Sequence, residues 1–264
     1  MRGKEFQFAR ETAEEASQFL LSRFGKNRDS IRGTGKGIKI AEDGQVDRLI
    51  INSIQKNYPG HAILTEESGL VCDHSDYLWI VDPIDGTRNF ENHNPFFAVS
   101  IALWFKKRPV LGVIMAPVLR ECYCVRAGKG AWVEDLDKKR KKRAKVSEIS
   151  RIEDAYGLYC WGGAKDADRV WNLIRSYWGK SKDMRKLGSA SIECVWVGLG
   201  RAEFYMTPEI SFWDIAAGVL FVEEAGGRVL DFNFKKQKWN SWFKGYEGNL
   251  CVKNKDLKMI DIKY

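Results

Sequence analysis

The first half of the chain opens with two helical patterns. Between residues 6 and 24, apolar side chains recur every three or four positions, which predicts an amphipathic helix ended by Gly25. A second apolar stripe, from Val46 to Ile54, predicts another helix that ends at the Tyr-Pro-Gly of residues 58–60. Short apolar runs bounded by turns follow, and they predict the strands of one sheet: residues 62–65, 77–81, 97–105, 110–115 and 121–125.

Three segments of this half have the composition of loops or turns. Residues 32–37 contain three glycines and little that could be buried, which predicts a mobile loop. Residues 106–109 are typical of a hairpin turn. The basic run from Lys138 to Arg143 is expected to cap a later hairpin whose two strands are residues 131–133 and 144–146.

The second half alternates strand and helix patterns more evenly. Strands are predicted at residues 156–160 and 202–206, and helices at residues 166–177, 189–198 and 214–225. This alternation indicates an α/β unit, whereas the first half keeps its helices and strands apart, as α+β proteins do. We therefore expect two closely packed halves, residues 1–148 and residues 149–264, with a boundary near residues 147–151.

The bulk composition is that of a globular protein. Hydrophobic residues make up 44% of the 264 positions and charged residues 30%, with no long polar tract. The net charge is +8, of which the run from Lys138 to Arg143 contributes six, so nucleic acid is not the expected partner.

No Cys-x-x-Cys spacing occurs among the six cysteines, and no apolar stretch reaches the roughly 20 residues that span a bilayer. A cytoplasmic protein with reduced thiols and no membrane partner is expected.

The most informative segment for chemistry is residues 79–90, where a buried strand ends in Asp82 and Asp85 around a proline. Hard divalent cations prefer several oxygen ligands, and two aspartates three residues apart on a stiff turn can face one ion. Gly86 and Thr87 then open a predicted helix, whose first N–H groups can receive a phosphate oxygen. Metal and phosphate are thus expected to meet at one turn.

Two further segments supply carboxylates at comparable places. Glu66 and Glu67 follow the predicted strand of residues 62–65, which we expect in the same sheet as the strand before Asp82. Adjacent carboxylates repel one another unless a cation or solvent separates them. Asp214 stands at the predicted start of an apolar helix, where its carboxylate can cap the helix and also face a metal.

Taken together, these segments resemble the inositol monophosphatase family, which belongs to the lithium-sensitive, Mg²⁺-dependent phosphatases. The resemblance covers nearly the whole chain and depends mainly on residues 79–90 and 213–218, with supporting matches at residues 128–131, 187–190 and 223–227. It implies an α-β-α-β-α layered sandwich and a homodimer. It also implies hydrolysis of a small phosphorylated polyol or sugar by a water that the metal activates.

The resemblance assigns roles residue by residue. One Mg²⁺ is expected on Glu66, Asp82 and the Ile84 carbonyl, and a second on Asp82, Asp85 and Asp214. A third ion would involve Glu66 and Asp43, although this chain lacks the threonine that usually stands a few residues ahead of that aspartate. Glu66 and Thr87 would position the attacking water, so that Glu66, Asp82 and Thr87 form the catalytic set. Substrate contacts are expected from Asp85, Gly86, Thr87, Arg185, Gly188, Ser189, Ala190, Thr207 and Asp214.

Two positions bear on the substrate. Thr207 stands where the inositol-selective animal enzymes carry a glutamate, and Arg185 precedes the motif at residues 187–190. Both features look more like the dual inositol monophosphatase and fructose-1,6-bisphosphatase members. A 3′(2′),5′-bisphosphate nucleotidase would use the same metal site. From another class, a nucleic-acid-binding protein would use the run from Lys138 to Arg143, and its binding would weaken with salt.

Overall fold

The computed structural model describes residues 3–26, 40–72, 74–160, 167–245 and 247–260. The loop predicted at residues 32–37 lies outside these ranges. Two helices, α1 (Gly3–Arg23) and α2 (Ala41–Asn57), confirm the two helical patterns of the N-terminal region. Within the described ranges, the helices are all too short or too polar to cross a membrane.

A first sheet of eight strands follows the two helices. Its strand order is β2-β1-β3-β4-β5-β6-β7-β8, and only the β1/β3 pair is parallel. The short helix α3 (Thr87–Glu91) comes directly after β3. The strands are β1 (Ala62–Thr65), β2 (Gly69–Val71), β3 (Tyr77–Asp85), β4 (Ala98–Phe105), β5 (Arg108–Ala116), β6 (Glu121–Arg126), β7 (Gly130–Asp135) and β8 (Arg140–Arg143).

A second sheet of five strands forms from the rest of the chain, in the order β10-β9-β11-β13-β12. Its strands are β9 (Tyr156–Tyr159), β10 (Asp183–Arg185), β11 (Phe204–Ser211), β12 (Arg228–Leu230) and β13 (Glu247–Lys253). The helices of this region are α4 (Ala167–Trp178), α5 (Ala190–Gly198), α6 (Phe212–Ile215), α7 (Gly218–Glu224) and α8 (Trp242–Gly245). Single 3₁₀ turns occur at Ile152–Asp154 and Trp239–Ser241.

Five layers result from the way these elements bury their apolar faces. Helices α1 and α2 pack on one face of the first sheet, where Leu20, Ile50 and Trp79 belong to one buried apolar cluster. Helices α5 and α7 fill the space between the two sheets, and α4 covers the outer face of the second sheet. The predicted α-β-α-β-α sandwich is confirmed. Strands β4 and β5 have covered faces on both sides, which explains their nearly continuous apolar sequences.

Two predicted elements are wrong in detail. The second strand of the last hairpin is the basic run itself, since β8 is Arg140–Arg143 and not residues 144–146. Backbone pairing does not depend on side-chain charge, and all four side chains of β8 are exposed at the sheet edge, where charges discourage pairing with another chain. The helix predicted at residues 214–225 begins at Phe212 and breaks after Ile215. Trp104 donates its indole N–H to the Ala216 carbonyl, inside this break, at 3.3 Å.

One polar network joins the layers at a distance from the candidate ligands. Arg201 makes two hydrogen bonds to Glu121 on β6, at 2.7 and 2.6 Å, and the Tyr123 hydroxyl donates to the same carboxylate at 2.6 Å. Partial burial raises the pKa of Glu121, but the donors from Arg201 and Tyr123 outweigh burial and hold the pKa below its usual range. The segment after α5 is thereby held against the first sheet.

We predict that Arg201→Met lowers the free energy of unfolding by about 1–2 kcal/mol, because a half-buried carboxylate loses its charged partner. Adding Glu121→Gln to that variant should recover part of the loss. Denaturant titration followed by circular dichroism measures both changes. Lys145→Met is the control, since its ion pair with Glu148 is exposed, and it should leave stability unchanged. Equal stability of the Arg201 and Lys145 variants would contradict the prediction.

Candidate active site

The candidate site lies where the parallel pairing of β1 with β3 ends. In the register of this pair Thr65 lies opposite Val81, so Glu66, just after β1, and Asp82, which continues in β3, follow at the same end of the pair. A parallel pair brings equivalent ends of two strands together, which an antiparallel pair does not do. The local sequence therefore places these two carboxylates next to each other.

Asp214 completes a cluster of three carboxylates. One carboxylate oxygen from each of Glu66, Asp82 and Asp214 lies within 4.8 Å of the other two. Glu66 is exposed, Asp82 is buried and Asp214 is partly buried, so the cluster opens to solvent on the side of Glu66. Three oxygen ligands that converge in this way match the ligand preference of a hard divalent cation.

Asp214 reaches the cluster from helix α6, at a different helical position from the one expected. Ser211 is the N-cap residue of α6, and Asp214 is the third residue of the helix. The Ser211 backbone N–H donates to Asp214 Oδ2 at 3.2 Å. The carboxylate thus caps its own helix from inside the first turn while it also faces Asp82.

The electrostatics of the cluster are those of acids buried together. Burial raises the pKa of Asp82 well above its usual value, and the charges of Glu66, Asp85 and Asp214 raise it further. Burial likewise raises the pKa of Asp214, and its hydrogen bond with Asp82 joins the two carboxyls. Without a cation, the Asp82/Asp214 pair therefore holds a proton to a higher pH than an exposed carboxyl does.

The turn after Asp82 is fixed by hydrogen bonds and by one glycine. The Ile84 N–H donates to Asp82 Oδ1 at 3.0 Å, and the Thr87 hydroxyl donates to the Ile84 carbonyl at 3.0 Å. Gly86 has a φ of +93°, and a Cβ there would lie 2.9 Å from the Phe96 carbonyl oxygen. Only glycine fits both conditions. The predicted ligand Ile84 and the predicted catalytic Thr87 are thus held in one turn beside Asp82.

Asp85 faces the start of helix α5. Its carboxylate accepts hydrogen bonds from the Ala190 N–H at 3.0 Å and the Ser191 N–H at 2.8 Å. The Ser189 hydroxyl, at 2.5 Å, and the Ser191 hydroxyl also donate to it. Burial raises the pKa of Asp85, and these donors oppose the shift. Asp85 is outside the cluster of three, and its role as a metal ligand stays a prediction, but it brings residues 188–190 to the site.

Asp43 is a buried neighbour of the cluster on helix α2. Its Oδ2 accepts the Ile40 N–H at 3.0 Å. Burial, together with the charges of Glu67 and Glu66, raises the pKa of Asp43 to about 8. The negative charges of Glu66 and Glu67 are therefore close enough to Asp43 to make its ionisation less favourable. Binding of a third metal by Asp43 stays a prediction.

Arg185 and Thr207, the two residues expected to choose the substrate, make contacts within their own strands. Arg185 is exposed on β10 and donates to Asp183 Oδ1 and, at 2.8 Å, to the Met184 carbonyl. Thr207 is fully buried, and its hydroxyl donates to the Glu209 carbonyl at 3.2 Å. Contact of either side chain with substrate stays a prediction.

Sequence reasoning missed three side chains around the site: Asn89, Ser191 and Glu193. Asn89 lies inside the segment of residues 79–90 but was given no role, although its side chain donates to the Leu187 carbonyl at 2.8 Å. Glu193 had a visible signal, because it is the only charged residue in the apolar sequence of α5. A single carboxylate in a buried helix is expected to have a specific hydrogen-bond partner, because burying it without one costs free energy.

Comparisons with known proteins identify the family of this chain. Residues 3–260 match the inositol monophosphatase family. A fructose-1,6-bisphosphatase/inositol-1-monophosphatase of Thermotoga maritima is 34% identical over 84% of this chain and 82% of its own length. A Nus factor SuhB of Pseudomonas aeruginosa is 36% identical over 72% of this chain and 70% of its own length.

The fold gives the same result. The solved structure of an inositol monophosphatase from the cyanobacterium Anabaena superposes with a TM-score of 0.81 and 28% identity, over 95% of this chain and 90% of that one. The match covers nearly the whole chain. The chain belongs to the inositol monophosphatase family of phosphatases.

Proposed function

We propose that this phosphatase depends on Mg²⁺ and hydrolyses inositol 1-phosphate, fructose 1,6-bisphosphate or both. The observation that carries the proposal is the convergence of Glu66, Asp82 and Asp214 within 4.8 Å. Two of these acids have raised pKa values because they are buried together, and a bound cation would relieve that cost. The relative from T. maritima is named for both activities.

The residues present suit Mg²⁺. Glu66, Asp82 and Asp214 would hold it, with the Ile84 carbonyl and Asp85 as further oxygen ligands of two ions and Asp43 beside a third. All of these donors are hard oxygen atoms, which is the donor set that magnesium prefers. Once bound, Mg²⁺ would neutralise charge on the phosphate and lower the pKa of an attacking water.

Side chains and backbone groups of the chain would orient the attacking water, bind the phosphate and contact the polyol. Glu66 is exposed at the open side of the cluster, so it can accept a proton from water. Thr87, held by its bond to the Ile84 carbonyl, would orient that water together with Glu66. Backbone N–H groups of Gly86 and Thr87 would hold phosphate oxygens. Residues 188–190, bound to Asp85, would contact the hydroxyl groups of the polyol.

The position of the basic run weakens the nucleotidase alternative. The run forms the turn before β8 and β8 itself, at the opposite edge of the first sheet from β1. Five strand spacings separate β3 from β8, roughly 24 Å at about 4.8 Å per spacing. The surplus charge therefore does not surround the site of its own chain, so the basic run gives the nucleotidase alternative no support. We keep inositol 1-phosphate and fructose 1,6-bisphosphate as the favoured substrates, and a homodimer as the assembly.

We predict that the wild-type protein releases phosphate from inositol 1-phosphate and fructose 1,6-bisphosphate only with Mg²⁺, and that Asp82→Asn lowers kcat by at least about a thousandfold. Asp82 is central to the cluster, and this loss equals about 4 kcal/mol of transition-state stabilisation. The measurement is phosphate release from both substrates and from adenosine 3′,5′-bisphosphate, in chelator and at saturating Mg²⁺.

The control is Asp135→Asn, which removes a partly exposed carboxylate from β7, four strands away from β3, and should retain full activity. An Asp82→Asn enzyme within tenfold of wild type at saturating Mg²⁺ would contradict the metal assignment. Preferential turnover of the adenosine bisphosphate would replace the favoured substrates by the nucleotidase alternative.

We predict that Mg²⁺ raises the melting temperature of the wild-type protein and does so less in Asp214→Asn. A ligand that binds only the folded state at a hundredfold excess over its Kd adds about 2.7 kcal/mol, or about 5–10 °C for a chain of this size. In chelator, Asp214→Asn should melt no lower than wild type, because it removes like-charge repulsion. Thermal melts at fixed ionic strength measure both effects. An identical Mg²⁺ response in the two proteins would leave Asp214 as a helix cap only.

Thermal melts also test how the stability of the metal-free protein depends on pH. Folded Asp43 keeps its proton to about pH 8, whereas the unfolded chain releases it near the ordinary pKa of 3.8. Unfolding between these values releases a proton, so the free energy of unfolding should fall as pH rises from about 4 to 8. Asp43→Asn cannot titrate but keeps an oxygen for the Ile40 N–H, so its pH dependence should be shallower. Equal slopes would show that Asp43 titrates normally.

A further inference from the structure

Helix α5 buries a carboxyl group that the proposed chemistry does not use. Glu193 is 0% exposed and lies between the two sheets among apolar side chains. Burial raises the pKa of Glu193 to about 8 against the opposing effect of two backbone N–H donors. A hydrophobic residue at this position would avoid the cost of burying a carboxyl. The carboxyl is therefore expected to have a specific partner, and the structure shows which one.

That partner is the segment just before α5, which we call the 187–190 loop. Glu193 Oε1 accepts the backbone N–H of Leu187 at 2.7 Å and that of Gly188 at 3.3 Å. One oxygen thus holds two successive peptide groups. Without this acceptor, both part-buried N–H groups would lose their hydrogen-bond partner.

The opposite side of the loop is held from the turn of the active site. Asn89, on helix α3, donates from Nδ2 to the Leu187 carbonyl at 2.8 Å and to the Phe96 carbonyl at 2.5 Å. The Gly188 carbonyl comes close to Gly86, since a Cβ on Gly86 would lie 3.1 Å from it. Both backbone polar groups of Leu187 are therefore hydrogen-bonded: its N–H donates to Glu193, and its carbonyl accepts from Asn89.

We propose that Glu193 is a positioning residue for the reaction: together with Asn89 it clamps the 187–190 loop and so sets where Gly188, Ser189 and Ala190 meet the substrate. This inference rests on the proposed function, because it assumes that the loop contacts the phosphate ester. Its physical basis is that a loop fixed on both sides enters the complex already ordered, so that binding costs less conformational entropy. The expected signature is a change in KM rather than in the chemical step.

A purely structural role is the alternative, and the chain contains a matched control for it. Glu203 is also a buried carboxyl, 4% exposed, and it accepts the Tyr156 N–H at 2.6 Å. It holds strand β9 in the second sheet, and within the described residues its hydrogen bonds are to Tyr156 and Asn254, not to the carboxylate cluster. Glu203→Leu should therefore lower the melting temperature and leave KM unchanged.

The experiment compares Glu193→Leu, Glu193→Gln and Glu203→Leu in the Mg²⁺-loaded enzyme, by kcat and KM for both favoured substrates and by thermal melts. Glutamine keeps an oxygen for the two N–H groups, so its KM should stay within about threefold of wild type. Leucine removes the acceptor, and we expect KM to rise at least about tenfold with a smaller change in kcat. A KM for Glu193→Leu equal to that of wild type or of Glu203→Leu would overturn the inference.

Two further arms keep the test decisive. If Glu193→Leu does not fold, Asn89→Ser releases the Leu187 carbonyl from the other side, and an unchanged KM in that variant would overturn the clamp.

If the wild-type protein turns over none of the substrates, the proposed function fails by itself. Calorimetric titration of inorganic phosphate with Mg²⁺ present then compares the same variants. Weaker binding to Glu193→Leu but not to Glu203→Leu supports the clamp, and equal binding contradicts it.

Discussion

Several carboxylates buried close together are the constraint on which the rest of this structure depends. Asp82, Asp85, Asp214 and Asp43 all have raised pKa values, and burial is the first cause in each case. When these acids are ionised and no cation lies between them, their repulsion opposes folding, because like charges repel strongly in a medium that screens them poorly. The fold therefore needs a rigid frame around the acids, and a cation bound between them would relieve the repulsion.

The frame comes from three different parts of the chain. A parallel strand pair sets Glu66 next to Asp82, a self-capped helix presents Asp214, and Asp85 binds the start of α5 across the space between the sheets. Each carboxylate thus has a second, purely structural hydrogen bond or register contact that fixes its direction. Glu193 extends this arrangement to the 187–190 loop. The helices between the two sheets consequently serve both the core and the site.

Much of this arrangement could be predicted from the sequence. Hydrophobic periodicity located the N-terminal helices and most strands, and the segments around Asp82 and Asp214 were long enough to indicate a family, a fold and a ligand set. Local pattern could not show that β8 would pair in spite of its charges, nor that the helix would break after Ile215. The partners of Asp85 were invisible because they lie 105 and 106 residues away in the sequence. The partners of Glu193 are only five and six residues away, but hydrophobic periodicity describes burial and not hydrogen bonds to backbone N–H groups.

The central claim is that Glu66, Asp82 and Asp214 jointly hold a divalent cation. Anomalous diffraction from crystals of the protein soaked in Mn²⁺, a hard cation of similar ligand preference, tests it most directly. The account predicts a strong anomalous peak in contact with carboxylate oxygens of all three residues, and loss of that peak in Asp82→Asn crystals. A wild-type map with no peak between the three carboxylates, or with manganese bound only elsewhere, would contradict it.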